Sequence, residues 1–292
     1  MNYKKTALTF KDQITLLQAR GLTVSDTVRA ERWLNRVSYY HLSAYYPPFE
    51  TSKDVFRNGA TFEDVAALYN FDRKLRLLVL DAIERIEVAV RTHVTYELGH
   101  FCGPFGYSDS RSFQPRFNHQ RFMNDVKDAI DQSHEDFIGT YFRRYTCESL
   151  LPIWMVTELL SFGTISHVYA GLPPVQQRRV ATRYNLPANV FGQWLHSLSY
   201  VRNVCAHHCR FWNRELAIKP MMPNRCPWWP YPPMGNNRPY CIFVICSHLL
   251  RAIAPNTGWR DRLVSLFKSH SSLIGGPAMG LPADYDKLAP WA

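Results

Sequence analysis

Apolar residues recur at three- and four-residue steps along most of this chain, and no long alternating run interrupts them, so the pattern predicts helices throughout. The clearest predicted helix starts after Gly59-Ala-Thr61 and runs to about Gly99, with Thr61 at its N-cap and Asp64 at N3. Leu68, Phe71, Leu75, Leu78, Ala82, Ile86 and Val90 form its apolar seam. Two short helices, 9–21 and 26–36, precede it; Gly21 stops the first, and Ser25 or Asp26 caps the second. Pro47-Pro48 ends this arm. Residues from Gly99 to Pro115 predict a loop, and further helices are predicted near 117–145, 153–170, 174–184, 188–212, 240–254 and 258–269. Residues 219–239 are dense in proline and hold the adjacent Trp228 and Trp229, which predicts an extended, ordered arm before the last helices. The expected organisation is an N-terminal helical extension over 1–58, a helical bundle over 59–275 and a tail over 276–292, together one compact all-α unit without internal repeats.

The helix predicted over 188–212 has two unlike faces. Phe191, Trp194, Leu198, Val201, Cys205, His208 and Trp212 make a mostly apolar stripe that should face the core. Gln193, Ser197, Tyr200, Asn203, His207, Arg210 and Arg214 make a polar stripe without the Lys and Glu of an ordinary solvated face. Within it lies Arg202-Asn203-x-x-x-His207, a permanent cation, an amide and an imidazole within one and a half turns. The guanidinium fork matches phosphate oxygens, and the imidazole takes and gives protons near neutrality. Arg202 stands about 140° from His207 round the helix, so its side chain must bend to join it. The spacing by itself is weak, and a structural His beside a surface Arg fits it equally. Arg36 to His41 repeats the same interval, but without the polar stripe.

Several blocks together resemble the Abi-like proteins of the AbiD/AbiF abortive-infection group, within the HEPN superfamily. Tyr39-Tyr-His-Leu-Ser-Ala-Tyr45 followed by Pro48-Phe49 is similar to the family's N-terminal signature, with His41 where Arg is commoner. Leu68-Tyr-Asn-Phe-Asp-Arg-Lys-Leu-Arg76 and Ile83-Glu-Arg-Ile-Glu-Val-Ala-Val-Arg91 resemble its central helix. Pro152-Ile-Trp154 with Glu158-Leu-Leu-Ser-Phe-Gly163 is similar to the next element, and Met279-Gly-Leu-Pro282 with Trp291 to its ending. Arg202 to Arg214 resembles the block carrying the HEPN active-site motif, with Phe211 where Leu is commoner. The blocks follow in order over nearly the whole chain.

The resemblance implies a HEPN-type bundle that cleaves RNA without metal or cofactor and serves in phage defence. Arg202, Asn203 and His207 would be catalytic: His207 moves a proton, Arg202 binds the phosphate, and Asn203 orients one of them. Glu87 and Arg91, at i and i+4, form at the least a helix ion pair of about 0.3–0.5 kcal/mol. In the HEPN reading Glu87 also faces the motif helix and steadies Arg202 or His207, with Arg91 and Tyr200 in support. Arg210, Arg214 and His208 would contact RNA. Proton transfer needs both a base and an acid, so a single Arg-His motif per chain implies a homodimer. The alternative is a non-catalytic RNA-binding HEPN protein that holds a regulatory RNA, an antitoxin or a toxin partner.

Composition narrows the setting. A net charge of +10 favours an anionic partner, nucleic acid or an acidic membrane face. The longest apolar run, Tyr240 to Cys246, is too short to cross a bilayer, and the opening residues lack the apolar stretch of a signal peptide. A soluble, cytoplasmic protein is expected. The seven cysteines form no paired framework, in keeping with a reducing compartment. Cys205, His208 and Cys209 lie close in sequence, but a zinc site needs a second ligand pair, and Cys226 with Cys241 and Cys246 lacks the usual spacing, so no metal site is expected. The aromatic cluster from Tyr39 to Phe49 reads as core rather than as a base-stacking platform.

Overall fold

The computed structural model describes residues 6–227, 229, 231–271, 278–282 and 284–291. Among them are twelve α-helices and one two-stranded hairpin, an all-α architecture. Helix α4, Phe62–Cys102, is the axis of the molecule. It begins as the sequence predicts, with Thr61 Oγ1 accepting the Asp64 amide at 3.1 Å and the Asp64 carboxylate accepting the Thr61 amide at 3.1 Å. Its 41 residues span about 60 Å. Leu68, Phe71, Leu75, Val79, Ala82, Ile83, Ile86, Val90, Val94 and Leu98 are all fully buried along it. The seam therefore takes Val79 rather than Leu78. Leu78 sits at its edge, where its carbonyl accepts Trp259 Nε1–H at 2.7 Å.

The N-terminal arm holds α1 (Phe10–Ala19), α2 (Thr27–Val37), α3 (Tyr39–Ser43) and the hairpin β1 (Glu50–Ser52) and β2 (Val55–Phe56), the last too short to show as an alternating pattern. A bridge between Thr23 and Thr61 fastens the arm to the start of α4, and Tyr45, Tyr46 and Phe49 are buried, Tyr45 edge-on to Tyr69 of α4 and Tyr46 edge-on to Phe56.

Two predicted helices are each divided in two. The stretch 117–145 becomes α5 (His119–Gln132) and α6 (Asp136–Arg144), because Ser133 turns extended and its hydroxyl accepts the Glu135 amide at 3.2 Å. The stretch 153–170 becomes α7 (Ile153–Leu159) and α8 (Phe162–Gly171). Here Leu160 turns extended and the Ser161 hydroxyl caps α8 at the Thr164 amide, 3.1 Å away. After α9 (Pro174–Thr182) comes α10, Ala188–Ala206, which packs on α4, α8 and α9.

The proline-dense arm is ordered over its described part. Trp194 Nε1–H donates to the Met221 carbonyl at 2.8 Å, Asn224 bonds Met234 in both directions, and Trp229 is buried edge-on to Trp194. Trp228 and Pro230 lie outside the described residues. Helices α11 (Pro239–Ile253) and α12 (Trp259–Lys268) complete the bundle against α4, and the predicted boundary near 275 falls outside the described residues. The described part of the tail folds back on α11: the Tyr240 amide donates to the Met279 carbonyl and Trp291 Nε1–H to the Tyr240 hydroxyl. No described helix is long and apolar enough to cross a membrane.

Candidate active site

The Arg-His block sits where α10 ends, and the ending differs from the predicted helix 188–212. The His208 amide donates to the Cys205 carbonyl at 3.1 Å and the Cys209 amide to the Val204 carbonyl at 3.0 Å. This is a Schellman closure, with His208 left-handed at φ 58 where Gly is usual. His207 is the C-cap, so it marks the last position before the chain leaves the helix. Arg210 and Arg214 are therefore not a continuation of the polar stripe, and His208 is exposed rather than on the core face. Ser197, predicted polar and outward, is fully buried, because α10 is enclosed by neighbouring helices around its middle. The apolar stripe Phe191, Trp194, Leu198, Val201 and Cys205 is buried as the pattern requires.

The closure is held from α4. Asp72 is wholly buried and its carboxylate accepts the Phe211 amide at 3.1 Å, the Trp212 amide at 2.6 Å and the Tyr45 hydroxyl at 2.7 Å. Arg76, one turn on, donates to Asp72 and also to the Tyr45 hydroxyl at 2.9 Å. Charge-assisted bonds to a buried carboxylate are stronger than the helical amide bonds that residues 211 and 212 give up, which is why the helix does not run on. Burial, reinforced by the Asp72 charge, pushes the Tyr45 hydroxyl far above its usual range, so it stays protonated as a donor. In the sequence Asp72, Arg76 and Tyr45 lie inside family-like blocks that assign them no role. The signal was an acid between Phe71 and Leu75 of the apolar seam, paired with Arg76 at i+4.

About four turns further along the same helix lies a second acid. Glu87 Oε2 is 3.8 Å from Arg202 Nε, and Glu87 Oε1 accepts Arg91 Nη2–H at 3.0 Å. Arg202 thus leans toward α4, which the helix phase alone did not reveal. Arg91 is held in turn by the Leu160 carbonyl at 3.1 Å, a group freed by the break between α7 and α8, and by Glu158 at 3.7 Å. Burial raises the Glu87 pKa, opposed by the charges of Arg91 and Arg202 and aided by Glu84. Arg202, Asn203 and His207 are all exposed at this end of α10. The Asn203 carbonyl accepts the His207 amide at 2.9 Å, and no side-chain hydrogen bond joins the three among the described residues.

Arg210 and Arg214 are half-buried. Arg210 Nη1–H donates to the Ala44 carbonyl at 2.6 Å, Arg214 Nε–H to the Arg210 carbonyl at 2.8 Å, and Arg214 Nη1–H to the Tyr200 hydroxyl at 3.3 Å. Cys205 points into the core, its thiol pushed up to about 12 by burial, whereas Cys209 is exposed. No three His, Cys, Asp or Glu side chains converge on one point among the described residues. His41 does not lie apart from the block: its pKa is lowered by burial first and then by the charges of Arg76 and His208.

A family model described as Abi-like protein matches residues 32–213, from α2 through the closure of α10. The chain belongs to the Abi-like protein family. The HEPN placement suggested by the Arg202–His207 block accords with that family, and membership ties the chain to abortive infection, a form of phage defence. Comparison with curated proteins and with solved structures returned no match.

Proposed function

We propose that this Abi-like chain is a metal-independent endoribonuclease that acts in abortive infection by cutting RNA. The observation that carries the reading is the exposed Arg202, Asn203 and His207 at the end of α10, with Glu87 behind Arg202. In the reaction the ribose 2′-oxygen attacks the adjacent phosphorus and the bond to the 5′-oxygen breaks. The 2′-hydroxyl proton passes to a base and the leaving oxygen receives a proton from an acid, so the products are a 2′,3′-cyclic phosphate and a 5′-hydroxyl. His207 serves one of these proton transfers. Arg202 binds the phosphate and stabilises the charge that builds on it, an effect of about 10²–10³ in rate. Asn203 orients the phosphate or the imidazole, Arg210 and Arg214 add positive charge along the RNA path, and His208 offers a hydrogen-bonding ring beside them.

The active form is a symmetric homodimer in which two copies of His207 supply base and acid. Tyr96 and Trp154 support this: each is about half exposed in a groove shared with Glu158, whose carboxylate approaches Arg91 at 3.7 Å, and such apolar area would be covered by a second copy. The test is cleavage of labelled RNA by purified protein in EDTA, with products mapped for the cyclic phosphate. His207→Ala should remove cleavage with the melting temperature unchanged. RNA binding without cleavage by the wild-type dimer would instead make this a non-catalytic RNA-holding protein, and full activity from a proven monomer would remove the paired-site mechanism.

A further inference from the structure

One face of α2 and one stripe of α4 enclose a groove of about 640 Å³ lined by Arg29, Arg32, Trp33, Arg36, Tyr69 and Arg73. Arg29, Arg32, Trp33 and Arg36 are spaced i, i+3, i+4 and i+7, so they share one side of α2, while Tyr69 and Arg73 are i and i+4 on α4. All four arginines are exposed, and none has an ion pair or side-chain hydrogen bond among the described residues. Arg20, Arg85, Arg91, Arg183, Arg202 and Arg262 each lie against a carboxylate. Like charges stacked along one helix face destabilise it, so fold stability does not account for this cluster. Between the cations, the rings of Trp33 and Tyr69 meet edge-on at 5.6 Å and both remain partly exposed.

We propose that this groove binds a single-stranded segment of RNA, with the arginines on successive phosphates and a base against the Trp33–Tyr69 pair. Planar guanidinium forks match phosphate oxygens, and aromatic faces interleaved with cations are the chemistry of single-strand binding. An acidic peptide would use the charges but has no need of the rings. The position fits a substrate track. The Tyr69 ring lies 5.8 Å from the His41 ring and 6.0 Å from the Arg76 guanidinium, and Arg76 belongs to the cluster that holds residues 211 and 212 just after His207. The groove therefore adjoins the buried cluster that fixes the residues just beyond α10. This inference rests on the ribonuclease reading and assigns that site the path of its substrate.

The test uses the full chain carrying His207→Ala, so that RNA survives, and measures binding of a labelled single-stranded RNA by anisotropy across salt. Arg32→Gln, Arg36→Gln and Arg73→Gln combined should weaken binding about tenfold or more, and should lower the slope of log affinity against log salt by about 2, roughly 0.7 for each phosphate left without its arginine. Trp33→Leu should weaken binding about fivefold or more at every salt concentration. RNA carrying 4-thiouridine should cross-link to the peptides of Trp33 or Tyr69 without any groove substitution, so the result does not depend on the variants folding. Unchanged affinity and slope in the triple variant, or cross-links only elsewhere, would overturn the groove while leaving the nuclease reading intact. Loss of polyglutamate binding with RNA binding untouched would reassign the groove to an acidic protein. A parent protein that neither binds nor cuts RNA would overturn both readings.

Discussion

Asp72 and Glu87 are both acids on α4 with an arginine four residues on, yet they do opposite jobs. Asp72 is fully buried and saturated with donors from Tyr45, Arg76 and two backbone amides beyond α10. Glu87 is nearer the surface, binds Arg91 closely, and reaches Arg202 only at 3.8 Å. A saturated buried carboxylate fixes the course of the chain. A looser one leaves Arg202, about half exposed, room to meet a phosphate while limiting where it can go.

The largest effect should follow from breaking the buried cluster. Asp72→Ala leaves Arg76 and two amides without their acceptor, and should cost about 3–5 kcal/mol of stability, read by chemical denaturation. A loss under about 1 kcal/mol would mean that the closure after α10 holds itself. Next, Arg202→Ala should cut RNA cleavage by about 10²–10³ with thermal stability unchanged, because its side chain is exposed and only loosely paired. Parallel loss of stability and activity would make Arg202 a structural residue.

Glu87→Gln sharpens the contrast through its sign. The folded pKa of Glu87 is raised, so at neutral pH the unfolded chain ionises this group more easily than the folded one does. The stability it withholds is regained as pH falls through the folded value, and the amide should recover it at pH 7. Glu87→Gln should therefore melt at or above the wild-type temperature while losing about tenfold in activity through a less restrained Arg202. A clear fall in melting temperature would place Glu87 with Asp72 as a structural acid.

The smallest effect comes from histidines and runs the other way. His248 bonds the Tyr184 carbonyl through Nε2 at 3.1 Å, and its pKa is lowered by burial against the support of that bond, with Arg251 lowering it further. A lowered histidine destabilises the fold once pH drops below its unfolded value of about 6.5, because only the unfolded chain then takes the proton. Melting temperature should fall between pH 7.5 and about 5.5, and His248→Gln, which keeps the donor but does not titrate, should flatten the fall. An unaltered slope would pass the effect to His41, His93 and His167, whose pKa values are also lowered by burial.

Local order was well written in the chain. The Thr61–Asp64 capping box, the seam of α4 and the apolar face of α10 follow from periodicity and cap chemistry, which depend on residues within a few positions of each other. The Arg202-Asn203-His207 block stood out only weakly by its spacing and drew its meaning from the family resemblance, as did Glu87 as its facing acid, which the 3.8 Å approach to Arg202 now places. Where a helix stops was harder. Nothing in Cys205-Ala-His-His-Cys209 announces a Schellman closure without glycine, because the group that favours it, Asp72, is more than a hundred residues away. The break at Leu160 gains meaning only when Arg91 takes the freed carbonyl. The groove of α2 and α4 has the same origin: its four arginines come together only when packing sets the two helices side by side. Periodicity and capping determine which segments are helical, since those forces act along the chain. Where each helix ends, which carboxylate an arginine meets and which cations gather without a partner are decided by donors and acceptors that only tertiary packing brings together.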